Sequence, residues 1–143
     1  EIRLEAYVGS DLYIVADADM LNLILRNILY NAIKFSPMQE VIKFTAKQKN
    51  GFIVISVADN GAGIPLAKQK QLFSFQAKSS IGTNNEKGTG IGLMLCREYT
   101  LLQGGNIWFN SKEGKGTTFY LSFPAGKPFE KEEGTLPTRA PSL

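Results

Sequence analysis

The stretch from Met20 to Ser36 restricts what this chain can become more than any other. At about 100° per residue, Leu21, Leu25, Ile28, Leu29 and Ala32 fall within an arc of roughly 100°, wide enough for a stripe facing a core. The spacing predicts one amphipathic helix. Asp17 or Asp19 is placed to cap its start by accepting backbone N–H bonds. Pro37 disfavours a helical residue before it and closes the helix near Ser36. Asn27, Asn31 and Lys34 fall in a separate wedge of roughly 60°, with Phe35 at its edge. Amide oxygens suit a hard cation such as Mg²⁺, and a lysine neutralises phosphate as a point charge. The same wedge taken alone is also what a solvated polar face looks like.

Strand signals surround this helix. Ile2 to Val8 alternates apolar and polar residues, and Leu12 to Val15 reads as a short second strand. Val41 to Lys47 and Phe52 to Ala58 form a hairpin across Lys49-Asn50-Gly51. The second of them is apolar at nearly every position and belongs in the middle of a sheet. Pro65 begins a short helix to about Phe73. A polar run from Gln76 to Lys87 is longer than most connections in a small domain, a length typical of lids or disordered segments. Another helix runs from the glycines at 88–92 to about Gln103, where Gly104-Gly105 stops it. Asn106 to Asn110 and Thr117 to Phe123 are the last strands, joined through Gly114-Lys115-Gly116. The order predicts a two-layer α/β sandwich, its mixed and largely antiparallel sheet carrying helices on one face. The chain from Pro124 on, rich in proline and glutamate, reads as a flexible tail over 125–143 behind a domain over 1–124.

Composition narrows the chemistry. The 143 residues suit one core, and a net charge of +3 with scattered lysines and arginines gives no basic block or aromatic–basic stripe for nucleic acid. There is no histidine, so no mechanism within this chain uses an imidazole. There is one cysteine, Cys96, which rules out an intrachain disulfide and fits a reducing compartment; its apolar helical setting points to core packing. No Gly-x-x-x-x-Gly-Lys-[Ser/Thr] run occurs, which excludes a P-loop. No apolar run is long enough to span a membrane. The chain opens at Glu1 almost directly into a strand, the expectation being a domain of a longer protein.

Three further groups bear on function. Asp59, with Gly61 and Gly63, ends an apolar strand, where a carboxylate is costly without a partner and where glycines let the backbone approach a flat ligand. It suits a hydrogen bond from a ligand amine, although a plain Asp-Asn-Gly turn has the same spelling. Gly88, Gly90 and Gly92 open a helix, whose N-terminal N–H groups favour phosphate; Lys78 and Lys87 are within the preceding loop. Gly114, Gly116 and Thr117 make a hairpin turn whose threonine hydroxyl can also meet a base.

Read together, Asn27-x-x-x-Asn31-x-x-Lys34-Phe35, Asp59-x-Gly61-x-Gly63, Leu72-Phe73-x-Phe75, Gly88-Thr89-Gly90-x-Gly92-Leu93 and Gly116-Thr117-x-Phe119 resemble, in order, the boxes of the ATP-binding domain of sensor histidine kinases. That domain shares the Bergerat fold with gyrase, Hsp90 and MutL. The resemblance covers about Ile2 to Pro124. It implies that Asn31 coordinates Mg²⁺, with Asn27 beside it near the phosphates, and that Lys34 contacts phosphate. Phe35 would lie against the base or sugar, where relatives often carry tyrosine. Asp59 would accept from the adenine amine, Gly61 and Gly63 would make room for the ring, and Thr117 would sit at the base side. Residues from about 76 to 87 would form the ATP lid. Ile64, Phe73, Lys87, Gly88, Thr89, Gly90, Ile91, Gly92 and Leu93 complete the implied nucleotide-binding set.

The hydrolysing cousins carry a glutamate where this chain has Asn27, and an amide cannot act as a base. The departure favours phosphoryl transfer to a separate acceptor over hydrolysis. The resemblance thus implies a cytoplasmic kinase domain using ATP and Mg²⁺. Its partners would be a histidine-bearing dimerisation domain, absent from this chain, and a response regulator receiver domain. The parent would be a homodimer and the isolated domain a monomer. An ATP-hydrolysing clamp and a non-catalytic docking module are the alternatives.

Overall fold

The computed structural model describes residues 1–37, 39–74 and 92–127. The expected lid over 76–87, Phe75, Lys78, the run from Lys87 to Ile91 and the chain beyond 127 lie outside the described residues. Among those described, the elements follow the order β1 (Arg3–Val8), α1 (Ala18–Phe35), β2 (Val41–Lys49), β3 (Phe52–Asp59), α2 (Leu66–Gln69), α3 (Gly92–Leu102), β4 (Asn106–Lys112) and β5 (Gly116–Pro124). The sheet order is β1-β2-β3-β5-β4. β1 runs parallel to β2, and every other pairing is antiparallel. The expected mixed sheet with β3 at its centre is therefore present.

β3 alternates despite its apolar sequence. Ile53, Ile55, Val57 and Asp59 are buried, while Val54, Ser56 and Ala58 are only half-buried on the opposite face. Among the described residues helices cover one face alone. The core lies between that face and the two long helices, and takes in Ile42, Ile55, Val57, Phe119, Leu121 and Phe123 from the strands and Ile24, Ile28, Ala32 and Cys96 from the helices. Each such aliphatic or aromatic side chain contributes roughly 1.5–3 kcal/mol on burial. The α1 stripe is turned from the one predicted. Ile24 is fully buried, whereas Leu21, Leu25 and Leu29 are half-buried at its margin. The reason is that α1 packs against α3 as well as the sheet.

The two helices run antiparallel. Gly92 lies against the Asn27 side chain, the Cys96 thiol reaches the Ile24 carbonyl at 3.7 Å, and the Gln103 amide oxygen accepts the Asp17 N–H at 2.5 Å. Burial pushes the Cys96 thiol up to about 12, which keeps it protonated and inert at neutral pH. Asp17, rather than Asp19, caps α1, its carboxylate accepting the Met20 N–H at 3.0 Å. Asp17→Ala should cost about 1 kcal/mol, a fall of roughly 2–6 °C in thermal midpoint for a domain of this size, readable by circular dichroism. A midpoint unchanged within 1 °C, roughly the scatter expected for a neutral surface change, would show that the Gln103 contact alone holds the helix start.

Three elements differ most from the sequence reading. Leu12–Val15 is no strand but a single bridge, Ile14 to Ala125. Asp11 turns the chain with φ of 59°, and only the last residues of β5 remain for pairing, through Val15 N–H to the Pro124 carbonyl and Gly126 N–H to the Tyr13 carbonyl. The helix expected from Pro65 to Phe73 stops at Gln69; tight i to i−3 bonds follow as far as Ser74. β4 continues past Asn110 to Lys112. No helix among the described residues is long and apolar enough to cross a membrane.

Candidate functional site

Period two carries three side chains to one place. Asp59 ends β3 and lies opposite Thr117 on β5, which in turn lies opposite Ser111 on β4. All three stand in one cross-strand row on the helix-covered face, which is the face of Val57, Phe119 and Phe109. Asp59 is 8% exposed. Its Oδ1 accepts the Gly61 N–H at 2.9 Å and the Thr117 N–H at 3.2 Å. Burial holds its carboxyl above the ordinary carboxylate range, and these two N–H donors pull it back in part. Among the described residues Oδ2 has no hydrogen-bond partner, so the carboxylate keeps an acceptor to offer. The carboxylate makes the bond of an Asp-Asn-Gly turn, to Gly61, and is in addition buried and tied across strands to Thr117.

The glycines are set by contact. A Cβ on Gly61 would lie 2.1 Å from the Phe35 carbonyl oxygen, which brings the end of α1 onto the loop after β3. Gly63 has φ of 73°, and its Cβ would meet the Lys112 carbonyl at 2.2 Å; Gly116 has φ of 99°, with the Asp59 carbonyl at 2.2 Å. No L side chain fits any of these without moving backbone. The loop from Gly61 to Ile64 is then pinned to the β4–β5 hairpin. Gly114 N–H donates to the Ala62 carbonyl at 2.6 Å, and Ile64 N–H donates to Ser111 Oγ at 2.8 Å. Gln69 of α2 donates to the Ile64 and Ser111 carbonyls at 2.8 and 3.3 Å.

The polar wedge of α1 adjoins this corner. Lys34 is 3% exposed, with its Nζ 5.0 Å from the centre of the Phe35 ring, a cation–π distance. Asn31 is half-buried, and its side chain makes no hydrogen bond among the described residues. Asn27 donates its Nδ2 proton to the Leu23 carbonyl at 2.9 Å, which leaves Oδ1 beside Gly92, where a Cβ would come within 2.5 Å of it. Asn27 also lines an open groove of about 610 Å³ along α1, together with Arg26 and Asp19.

The structure thus unites Phe35, Asp59, Gly61, Gly63, Ile64 and Thr117 through contacts, and separately joins Asn27 to Gly92. Phe73 packs edge-on against Phe109 and Phe119, with ring centres 5.7 and 6.5 Å away. Leu93 is half-buried against the core. Lys87, Gly88, Thr89, Gly90 and Ile91 lie outside the described residues. Sequence reasoning missed Ser111 and Gln69. Ending β4 at Asn110 hid the first, although Ile107, Phe109 and Ser111 already share its period.

Among the described residues no group of three His, Cys, Asp or Glu side chains is gathered to hold a metal. A single unbonded amide, Asn31, fits a Mg²⁺ whose other ligands are phosphate oxygens and water.

Comparison with known proteins agrees with this fold. Residues 16–127 match the family model described as histidine kinase-, DNA gyrase B-, and HSP90-like ATPase. The chain is 35% identical over 137 residues to the adaptive-response sensory kinase SasA of Prochlorococcus marinus (strain AS9601), covering 94% of this chain and 37% of that protein. It is 37% identical over 117 residues to the sensor histidine kinase WalK of Bacillus subtilis (strain 168), covering 80% of this chain and 19% of that one. The chain therefore spans about a third or less of the length of these relatives. Among solved structures, the catalytic domain of histidine kinase ThkA superposes with a TM-score of 0.74 at 29% identity, over 86% of this chain and 78% of that one. Full-length ShkA in complex with AMPPNP gives 0.72 at 28% identity, over 89% of this chain and 26% of that one.

Proposed function

The chain belongs to the family of histidine kinase-, DNA gyrase B- and HSP90-like ATPases, and from that premise we propose that it is the Mg·ATP-binding catalytic domain of a sensor histidine kinase, acting on a histidine supplied by another domain. The observation that carries the reading is the Asp59 carboxylate, buried, fixed through Oδ1 and left with Oδ2 to accept a hydrogen bond. An adenine exocyclic amine supplies that bond. Phe35 would flank the base or sugar, and Gly61 and Gly63 would admit the ring.

Asn31 would hold Mg²⁺, and Lys34 would face phosphate. The bound metal would neutralise charge on the transferring phosphoryl group, and the protein's part is to position the nucleotide for in-line attack. Asn27 has no basic atom and is held by Leu23 and the start of α3, an arrangement that suits transfer better than activation of water. The partners are a histidine-bearing dimerisation domain and a receiver domain of a response regulator. The parent is a cytoplasmic or membrane-anchored homodimer, in which residues 1–124 are the ATP-binding domain.

The test is a radiolabel transfer gel. Alone with Mg·ATP, the chain should carry no acid-labile phosphate and hydrolyse ATP very slowly. With the separately made histidine-bearing domain of its parent, label should appear on that domain. Label on this chain alone, or rapid steady-state hydrolysis, would overturn the reading.

A narrower test concerns Gly92. Among the described residues a methyl group there meets only the far end of the Asn27 side chain, so Gly92→Ala should swing the carboxamide aside with little change in fold stability. Nucleotide affinity should fall about tenfold by calorimetry, the worth of one displaced hydrogen-bonding group, while the thermal midpoint stays within a few degrees. Unchanged affinity would remove Asn27 from the site.

A further inference from the structure

We infer that Ser111 is a positioning residue which fixes the direction of the Thr117 hydroxyl, so that Asp59 and Thr117 together present only hydrogen-bond acceptors to the base. The inference rests on the reading of Asp59 as the base-recognition group.

The argument is a count of donors. A serine hydroxyl has one proton to give and two lone pairs to receive. Ser111 Oγ has three neighbours: the Ile64 N–H at 2.8 Å, the Gly116 carbonyl oxygen at 3.2 Å and Thr117 Oγ1 at 2.8 Å. The amide can only donate, so it occupies one lone pair. The carbonyl can only accept, so it takes the serine proton. What remains on Ser111 is one lone pair, and the bond to Thr117 is made only if Thr117 donates. With all three bonds present, the proton of Thr117 points to Ser111. Its oxygen is then left with lone pairs alone.

Thr117 stands beside Asp59 in the cross-strand row, and its own N–H is bonded to Asp59 Oδ1. Both polar side chains of this edge therefore accept. A ligand group there is matched if it donates and opposed if it accepts. The 6-amino group of adenine donates, whereas the 6-oxo group of hypoxanthine accepts. Ser111 touches no part of the ligand in this scheme and acts through Thr117.

Two features favour one stable arrangement. Gln69 bridges the Ile64 and Ser111 carbonyls, which holds the Ile64 N–H on the serine. Gly116, with φ of 99° and the Asp59 carbonyl close by, fixes the turn whose carbonyl takes the serine proton.

The experiment is calorimetric titration of the full chain with ATP and with ITP, which differ in the base only at position 6 and its neighbouring ring nitrogen. Wild type should prefer ATP by about 100-fold or more, since sites built on a buried hydrogen bond discriminate strongly against a mismatched analogue. Ser111→Ala frees the Thr117 proton and should lower that preference about tenfold, chiefly by improving ITP. Ser111→Thr retains a hydroxyl on a strand and should restore it. In a Thr117→Val background, Ser111→Ala should leave the ratio unchanged, an outcome that a general loosening of the loop would not give. Thermal midpoints of all variants are read in parallel. A ratio untouched by Ser111→Ala, or one that falls equally with and without the Thr117 hydroxyl, overturns the inference while leaving the role of Asp59 intact. A wild type with no preference for ATP overturns both.

Discussion

Replacing Asn31 by alanine is expected to cut phosphoryl transfer to a supplied histidine-bearing domain by about 10²–10³-fold, the scale on which loss of one preorganised charge-stabilising group slows an enzyme. The described residues gather no acidic cluster for a metal. In the proposed reading one amide on α1 would be the protein's contribution to a coordination shell otherwise made of phosphate oxygens and water. Alanine removes it without harming the helix, being the better helix former, and among the described residues the Asn31 side chain holds no other element through a hydrogen bond. The thermal midpoint should stay within a few degrees, and nucleotide affinity measured in excess EDTA should match wild type. Lys34→Ala should cut transfer less, because other cations would remain to balance the phosphates in part. Lys34 is nearly fully buried, so its removal also empties packed space, and Lys34→Met, which keeps the stem, separates charge from volume. Transfer unaffected by Asn31→Ala would place the metal elsewhere.

Much of this was legible in the residues, and the misses have physical causes. Turn chemistry was read well: Asn50 and Gly51 take φ of 51° and 80°, as a tight hairpin between right-twisted strands requires. The α1 helix was clear in type but not in facing. Periodicity finds an apolar arc, yet Leu21 to Ala32 has apolar residues on a broader one, and only the position of α3 decides that Ile24 is central. Leu12 to Val15 has strand composition, but a strand needs a partner, and β5 has almost run out where this segment passes. The functional boxes were legible because they mix residue types that fold stability alone does not favour: a carboxylate ending a core strand, and glycines at close approaches. Ser111 was invisible for the opposite reason. A serine near a glycine turn is ordinary, and its three bonds exist only after β4, β5 and the loop before α2 have met.

The second large effect is expected at Asp59, where asparagine should reverse base preference and spare the fold. The amide Oδ1 can still accept the Gly61 and Thr117 N–H groups, so the local backbone has no reason to move. Its Nδ2 then stands where Oδ2 stood and offers protons to a group that also offers them. ATP affinity should drop by about 100-fold, combining a lost charge-assisted bond with a donor–donor clash, while ITP, whose 6-oxo group accepts, should bind better than to wild type. Stability should move the other way. Burial is the dominant influence on the Asp59 carboxyl and raises it above the unfolded value. A group shifted in that direction favours the fold in its neutral form, and this contribution is present below the unfolded pKa and lost as pH rises through the folded one. Once ionised, the wild-type group is a carboxylate that the unfolded chain hydrates better, a cost that the proposed ligand bond would offset. Asp59→Asn removes that cost, so it should melt no lower than wild type at pH 7, and any advantage should shrink as the pH is lowered through the carboxylate range. Thermal scans at several pH values beside ATP and ITP titrations read both effects. A variant that loses ATP by unfolding, or that still prefers ATP over ITP while folded, would show that Asp59 is structural and that the base is recognised by other groups.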